Sequence, residues 1–211
     1  MPKIILEDTD GTLGMLRDSV AAFAQRFDGA KVLRARRDAG KDLDRDVWSA
    51  MAEAGWLGLM LPEDLGGAGL GLREQTILSE ALGRALITEP LAQLSVFAGA
   101  LIGGADAGEE RTRLAEGLIS QDMKGGFAGI EASLNAEGVN LSGSAELVVA
   151  AASADVFLVL VQSLDEQMLI SVPADADGVT LTLRPTVDGA TLAQVSFDGC
   201  RVYADKVMAR G

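Results

Sequence analysis

Up to Ile119 the apolar residues of this chain recur in steps of three and four. Beyond Phe127 they come in short, often β-branched bursts separated by Gly, Asp and Ser. The first rhythm belongs to helices with one face in a core, the second to strands. Leu13, Leu16, Val20, Phe23 and Phe27 predict an amphipathic helix over residues 12–27. Asp44 or Asp46 caps a second helix with Val47, Met51 and Ala54 on its apolar side, and Gly55 ends it. Residues 72–86 form a third, aligning Ile77, Leu78, Ala81, Leu82 and Leu86. Pro90 opens a fourth over 91–102, apolar nearly all round and therefore buried, which Gly103-Gly104 stops. A fifth starts at Asp106 or Gly108 and runs through Leu114, Leu118 and Ile119. Five helices joined by mostly short loops make a bundle. Between the first two, residues 28–42 set Lys31, Arg34, Arg36, Arg37 and Lys41 against Asp28, Asp38 and Asp42. This charge run reads as a solvated loop, with phosphate binding as the lesser alternative.

The later bursts, at 139–141, 146–149, 156–161, 168–172, 179–183 and 192–197, predict an all-β unit. Val156 to Val161 contains no polar residue, which places that strand at the centre of its sheet. The change of rhythm near Lys124 divides the chain into a helical domain, 1–123, and a β domain, 124–211. The fold class is α+β multidomain: an N-terminal all-α helical bundle followed by a β-barrel or sandwich. There are no internal repeats and no low-complexity segments.

Composition narrows the functions. At 211 residues there is chain for one good core or two small ones. A net charge of −13 repels nucleic acid and anionic membrane alike, so neither is an expected partner. An anionic ligand such as coenzyme A or a dinucleotide then needs a local cluster of Lys and Arg. The chain has no histidine, which removes Ser-His-Asp and Cys-His catalysis, His-ligated zinc and a histidine base from its repertoire. No metal ligands are assigned. One cysteine, Cys200, allows no internal disulfide and suits a reducing cytoplasm, and no histidine is there to activate it. The N-terminus, MPKIILEDTDGT, has acidic residues where a signal peptide needs an apolar run. The most apolar window, 91–105, is broken by Gln93 and too short to span a bilayer. A cytoplasmic protein is the expectation.

The most specific stretch is DRDVWSAMAEAGWLGLMLPEDLGGAGLGL, residues 44–72. After the helix stop at Gly55, Trp56, Leu57, Leu59, Met60 and Leu61 make an apolar plug. Pro62 forbids further helix, and Gly66-Gly67-Ala68-Gly69 form a loop with little side chain. Physics alone leaves a helix–loop–helix with a buried tryptophan, or a ligand site. The wording adds more. Gly55-Trp56-Leu57-Gly58-Leu59, then Pro62-Glu63 and Gly66-Gly67-Ala68-Gly69-Leu70, closely resembles the N-terminal signature of acyl-CoA dehydrogenases. The resemblance covers nearly the whole chain. Leu118-Ile119-Ser120-Gln121-Asp122 is similar to the end of the family's helical domain. VSFDGCRVYADKVMARG, from Val195, resembles the exit from its β domain, with Tyr203 in place of a proline.

The resemblance implies flavin-linked α,β-dehydrogenation of an acyl-CoA thioester in lipid metabolism, such as fatty acid β-oxidation, with FAD as cofactor and an acyl-CoA as substrate. The family's base is a glutamate of a C-terminal four-helix domain beyond the matched region, so no catalytic residue is assigned. Phe127-Ala128-Gly129-Ile130-Glu131-Ala132 is similar to the family's aromatic-A-x-T-E-P flavin motif. Phe127, Gly129 and Ile130 are the implied cofactor positions, although Ile130 lacks the hydroxyl of the family's threonine. Leu141 to Ala150 matches L-N-G-x-K-x-W-I-T-N, with Leu147 for the tryptophan and Val149 for the threonine. These are two further cofactor positions; the missing aromatic platform forfeits stacking on the order of 1 kcal/mol. The loop between the motifs shrinks to Ser133-Leu134-Asn135, and Ser133 is the implied substrate contact. Thr88-Glu89-Pro90 spells T-E-P but lies between helices, where Thr88 reads as an N-cap and Pro90 as a first-turn proline. Trp48 and Trp56 read as core rather than as the lining of an acyl tunnel.

Two functions follow from the resemblance. One is a dehydrogenase completed by a C-terminal domain or a partner subunit. The other is a degenerate, non-catalytic subunit of a heteromeric acyl-CoA dehydrogenase. Either implies a homo- or hetero-oligomer with another acyl-CoA dehydrogenase subunit. A plain acyl-CoA or lipid-binding module ranks last, because nothing obvious supplies a phosphate site.

Overall fold

The computed structural model describes residues 7–131, 133–135, 138–162, 167–187 and 190–211, with the side chains of 126–139 outside that description. Among the described residues, six α-helices precede the strands. Helix α1 (Thr12–Arg26) buries Leu13 and Val20. Asp8 accepts from the Leu13 and Gly14 amides at 2.9 and 2.7 Å, satisfying donors that a helix start leaves free. Helix α2 (Gly29–Asp38) fills most of the stretch expected as a solvated loop. Asp28 caps it by accepting from the Lys31 amide at 3.1 Å. The charge count obscured it because most of its bases stay wet while one, Arg36, turns inward and is buried.

Helix α3 (Arg45–Glu53) is capped by Asp44, whose carboxylate accepts from the Asp46 and Val47 amides at 3.0 and 3.2 Å. Gly55, at φ +76°, takes the chain out of it. The plug and loop that follow satisfy their own backbone. The amides of Ala68, Gly69 and Leu70 donate to the carbonyls of Gly58, Leu61 and Leu59 at 2.9–3.0 Å. This return requires Gly67, since a Cβ there would lie 2.1 Å from the Leu61 carbonyl oxygen. Trp56 is buried with its ring 4.9 Å from that of Phe23 on α1.

Helix α4 (Leu72–Arg84) packs along α1. The next stretch starts with a π-helical turn, Ala92–Val96, which runs into α5 (Phe97–Gly104). In the turn, Ser95 is buried and donates to the Leu57 carbonyl at 2.6 Å. Phe97 is 58 % exposed, so this segment is not buried all round as its composition predicts. Helix α6 (Glu109–Ile119) completes the set.

Among the described residues eight strands follow: β1 (Gly125–Glu131), β2 (Ser133–Asn135), β3 (Gly138–Val149), β4 (Val156–Gln162), β5 (Gln167–Pro173), β6 (Val179–Pro185), β7 (Thr191–Val202) and β8 (Val207–Arg210). They form two four-stranded sheets, ordered β1-β4-β5-β8 and β2-β3-β7-β6. Among the described strands only β1 and β4 pair in parallel. The bursts at 139–141 and 146–149 are one strand. Strand β1 is glycine-rich and β8 short, and neither carries a strand pattern of its own. Each is a strand because it pairs with a partner already in place, β4 or β5.

Strand β4 explains the stacking. Phe157, Val159 and Val161 enter the core between the two sheets, with Ile170 of β5 and Val195 and Phe197 of β7. Val156 and Leu158 point the other way, into a second core with Ala98 and Ile102 of α5 and Leu114 and Leu118 of α6. Both faces are covered as far as Val159, which is why the run does not alternate there; Leu160, beyond the helices, is 40 % exposed. A third core lies inside the helical bundle around Trp48, Met51, Trp56 and Leu78.

One polar node ties α6 to the sheet beneath it. Glu110 accepts from Ser171 of β5 at 2.6 Å, from Lys206 at 2.9 Å and from Arg113 at 2.7 and 2.9 Å. Burial alone would raise its pKa; the hydrogen bonds from Arg113, Ser171 and Lys206 outweigh that and hold it at about 2. A depressed folded-state pKa stabilises in full above the ordinary carboxyl value of 4.5, and that contribution is lost as pH falls toward about 2. Glu110→Gln should therefore lower stability at neutral pH by about 1–3 kcal/mol. Urea melts across this window should show the deficit shrinking as pH falls. In the same assay Gly67→Ala should cost about 1–3 kcal/mol by overpacking. Gly83→Ala, in α4 with nothing within 4 Å of the added Cβ, should add about 0.5–1 kcal/mol.

Candidate functional site

Strand β3 pairs with β7 but loses register twice, between Leu141 and Gly143 and between Ala145 and Val148. The second shift is a bulge, and it decides where the implied cofactor positions point. Leu147 takes φ +59° and lies 60 % exposed. Val148 enters the core between the sheets, whereas Val149 and Ala150 pack against the helical core. The bulge thus separates Leu147 from Val149. Ile130, Gly129 and Phe127 lie on β1, opposite Val161, Leu160 and Leu158 of β4, and Ser133 starts β2 opposite Asn140. The side chains of Phe127, Ile130 and Ser133 are outside the described residues.

Val149 and Ala150 form part of a cleft of about 430 Å³ between the helices and the sheet. Leu192 and Thr191 of β7 continue its sheet side, and Thr88, Pro90 and Gln93 its helical side. A neighbouring cavity of about 770 Å³ opens beside it, toward the α2–α3 connection and the Lys124–Asp155 ion pair. Arg36, Asp42 and Thr191 line both.

The helical wall is built on Arg36. Its Nη1 donates to the Thr88 carbonyl at 3.0 Å and to Glu89 Oε1 at 3.1 Å, and its Nη2 donates to Thr88 Oγ1 at 3.0 Å. Glu89 Oε2 accepts from the Asp44 amide at 2.9 Å, at the start of α3. Thr88 is therefore not an N-cap, because its hydroxyl serves Arg36. The Arg36 and Glu89 side chains are 6 % and 1 % exposed. Burial pushes the Glu89 carboxyl above its usual range, against the Asp44 amide and the Arg36 guanidinium, which lower it.

Sequence reasoning missed Arg36, Asp42 and Glu89. One signal was available. Gly29, Val32, Leu33 and Arg36 share the i, i+3, i+4, i+7 stripe of a helix, so one arginine falls on its inward face. For a cofactor the fit is poor at the two positions with described side chains. Leu147 and Val149 supply neither a ring to stack nor a hydroxyl to donate. Among the described residues no group of three or more His, Cys, Asp or Glu is placed to hold a metal ion. None of the described helices is long and apolar enough to cross a membrane.

Residues 11–107 match the family model of the acyl-CoA dehydrogenase N-terminal domain. The chain belongs to the acyl-CoA dehydrogenase family. Acyl-CoA dehydrogenase IpdE2 of Mycobacterium tuberculosis is 34 % identical over 105 residues, 49 % of this chain and 33 % of the relative. Among solved structures, a variant of the Tcur3481-Tcur3483 steroid ACAD is 27 % identical with a TM-score of 0.77, covering 94 % of this chain and 56 % of that one. The ChsE4-ChsE5 complex from Mycobacterium tuberculosis has the same fold, at 24 % identity and a TM-score of 0.80, over 99 % of this chain and 58 % of that one. This acyl-CoA dehydrogenase chain spans a third to a half of the length of the curated relatives IpdE2 and FadE28.

Removing Glu89 would leave the Arg36 guanidinium buried without a counter-charge. Glu89→Ala should cost about 3–5 kcal/mol. Chemical denaturation reads this loss, and Arg26→Ala, at an exposed pair 4.0 Å from Glu53, should change stability by less than about 1 kcal/mol.

Proposed function

We propose that this chain works within an acyl-CoA dehydrogenase, in the flavin-linked α,β-dehydrogenation of an acyl-CoA thioester. Its role there is that of a subunit which shapes the acyl cleft while a second acyl-CoA dehydrogenase subunit holds the FAD. One observation carries this reading. At the positions where the family sets a tryptophan and a threonine on flavin, Leu147 faces solvent from a bulge and Val149 packs against the helical core. Both side chains are aliphatic, so the family's side-chain contacts to flavin are not made there. The heteromeric character of the ChsE4-ChsE5 and Tcur3481-Tcur3483 proteins supports a paired arrangement. The steroid description of the latter favours a bulky, ring-bearing acyl group. In this reading the chain divides into a helical domain, 1–123, and a β domain, 124–211, which meet at the cleft. A soluble, cytoplasmic enzyme of lipid metabolism fits the family.

The test is an absorbance spectrum of the purified chain after FAD addition, taken alone and after co-expression with a flavin-bearing acyl-CoA dehydrogenase subunit from the same genome. Alone it should stay colourless. Co-expressed, it should co-purify with a flavin-containing complex whose acyl-CoA turnover exceeds that of the partner by itself. Stoichiometric FAD on the isolated chain would overturn the reading, as would the absence of both a complex and an activity gain.

A further inference from the structure

The two sheets end in four edge strands, and β6 is unlike the other three. Strand β2 pairs over three residues only. Strand β8 has four, and its pairing with β5 is broken by a register shift. Strand β1 packs against β3 and the π-helical turn. Strand β6 pairs with β7 along all seven of its residues, Val179 to Pro185, without a register shift. Its other edge meets no strand among the described residues, and Thr180 through Pro185 are exposed. Native sheets keep such edges apart with lysines, bulges or short strands. Here the strand has no lysine and no bulge, and its proline comes at the last position.

The strand's apolar side is open as well. Leu181 and Leu183 stand opposite Val195 and Ala193 of β7, which are buried in the core between the sheets. The facing sheet does not cover them: Leu181 is 36 % exposed and Leu183 50 %. A further strand laid on β6 pairs its backbone edge and covers both leucines. Strand β6 itself meets that need. Set antiparallel to a second copy about Thr182, it brings Leu181 opposite Leu183 of the copy, Thr180 opposite Arg184, and Val179 opposite Pro185. The two central threonines face each other, and Thr–Thr and apolar pairs are favourable cross-strand neighbours. Charge selects the same strip. The chain carries a net −13, which drives copies apart, but β6 contains no carboxylate. Its one charge, Arg184, is met by Glu146 at 3.5 Å. We propose that two copies of this chain associate through β6, edge to edge about a two-fold axis at Thr182. Two four-stranded sheets then become one continuous sheet across the pair. This goes beyond the function proposed above and does not depend on it.

Sedimentation velocity of the 211-residue chain tests this. A contact built on one strand is small for a specific interface, so the dimer should dissociate on dilution, with a Kd of about 1–100 μM. Thr182 is exposed and lies on the axis, so a charge placed there faces its own copy. Thr182→Lys and Thr182→Glu should each weaken the dimer by at least about tenfold. An equimolar mixture of the two variants should restore a dimer, with opposite charges now paired across the axis. That rescue, with circular dichroism melts of each variant, separates lost association from lost folding. A wild-type chain that stays monomeric to about 1 mM, a dimer indifferent to Thr182→Lys, or a mixture that stays monomeric would overturn the proposal. A monomeric wild type whose complex with a flavin-bearing subunit is lost on Thr182→Lys would assign the edge to that subunit and equally overturn self-pairing. None of these readouts involves FAD content or acyl-CoA turnover. A failure here therefore leaves the dehydrogenase reading standing, and a failure of that reading leaves this test intact.

Discussion

Strand β4 has to be covered on both faces, and the architecture is arranged to do it. Phe157, Val159 and Val161 close against the second sheet, while Val156 and Leu158 close against α5 and α6. A strand this apolar would be an aggregation hazard if either layer were missing. Its neighbours follow from its position. Strand β1 can be glycine-rich because β4 supplies the pairing, and β5 can bury Ser171 beneath α6 because Glu110 accepts its hydroxyl. The helical layer is thus part of the sheet's core and sets where its edge can open.

The opening lies at the α2–α3 end, where the sheet meets the bundle through Val149 and Ala150. That contact is apolar, and the helical wall beside it is held by one guanidinium. Arg36 reaches from α2 to the Thr88–Glu89 segment, and Glu89 passes the connection to the amide of Asp44, the residue that caps α3. A buried pair of this kind contributes little net stability, but losing either partner is costly, so it enforces one arrangement of three segments. The cleft inherits that rigidity.

The β3 bulge does the opposite work on the sheet side. A regular strand would have kept Leu147 and Val149 on one face, two residues apart. The extra residue turns Leu147 to solvent and hands Val149 to the helices. Val149 is thereby left as an aliphatic floor to the cleft. What persists from the family is the scaffold, most visibly the stretch from Gly55 to Leu70, whose glycines let the loop return its amides to the plug's own carbonyls.

The amino-acid pattern alone determined the helix-then-strand order, most helix positions, a cap at Asp44 or Asp46, the stop at Gly55, the central place of β4 and the family. These are read from periodicity, capping chemistry and a contiguous motif, all of which act over a few neighbouring residues. It did not disclose α2, whose charged composition hid a single inward arginine, nor the role of Thr88, which serves a guanidinium 52 residues away instead of its own helix. It did not disclose strands β1 and β8, which exist by pairing rather than by propensity. The direction of Leu147 and Val149 depended on a register shift against β7, and the cleft on three segments distant in sequence. Those features are set by contacts between elements, where burial and hydrogen-bond demand across space override the local signal, and only the tertiary structure could decide them.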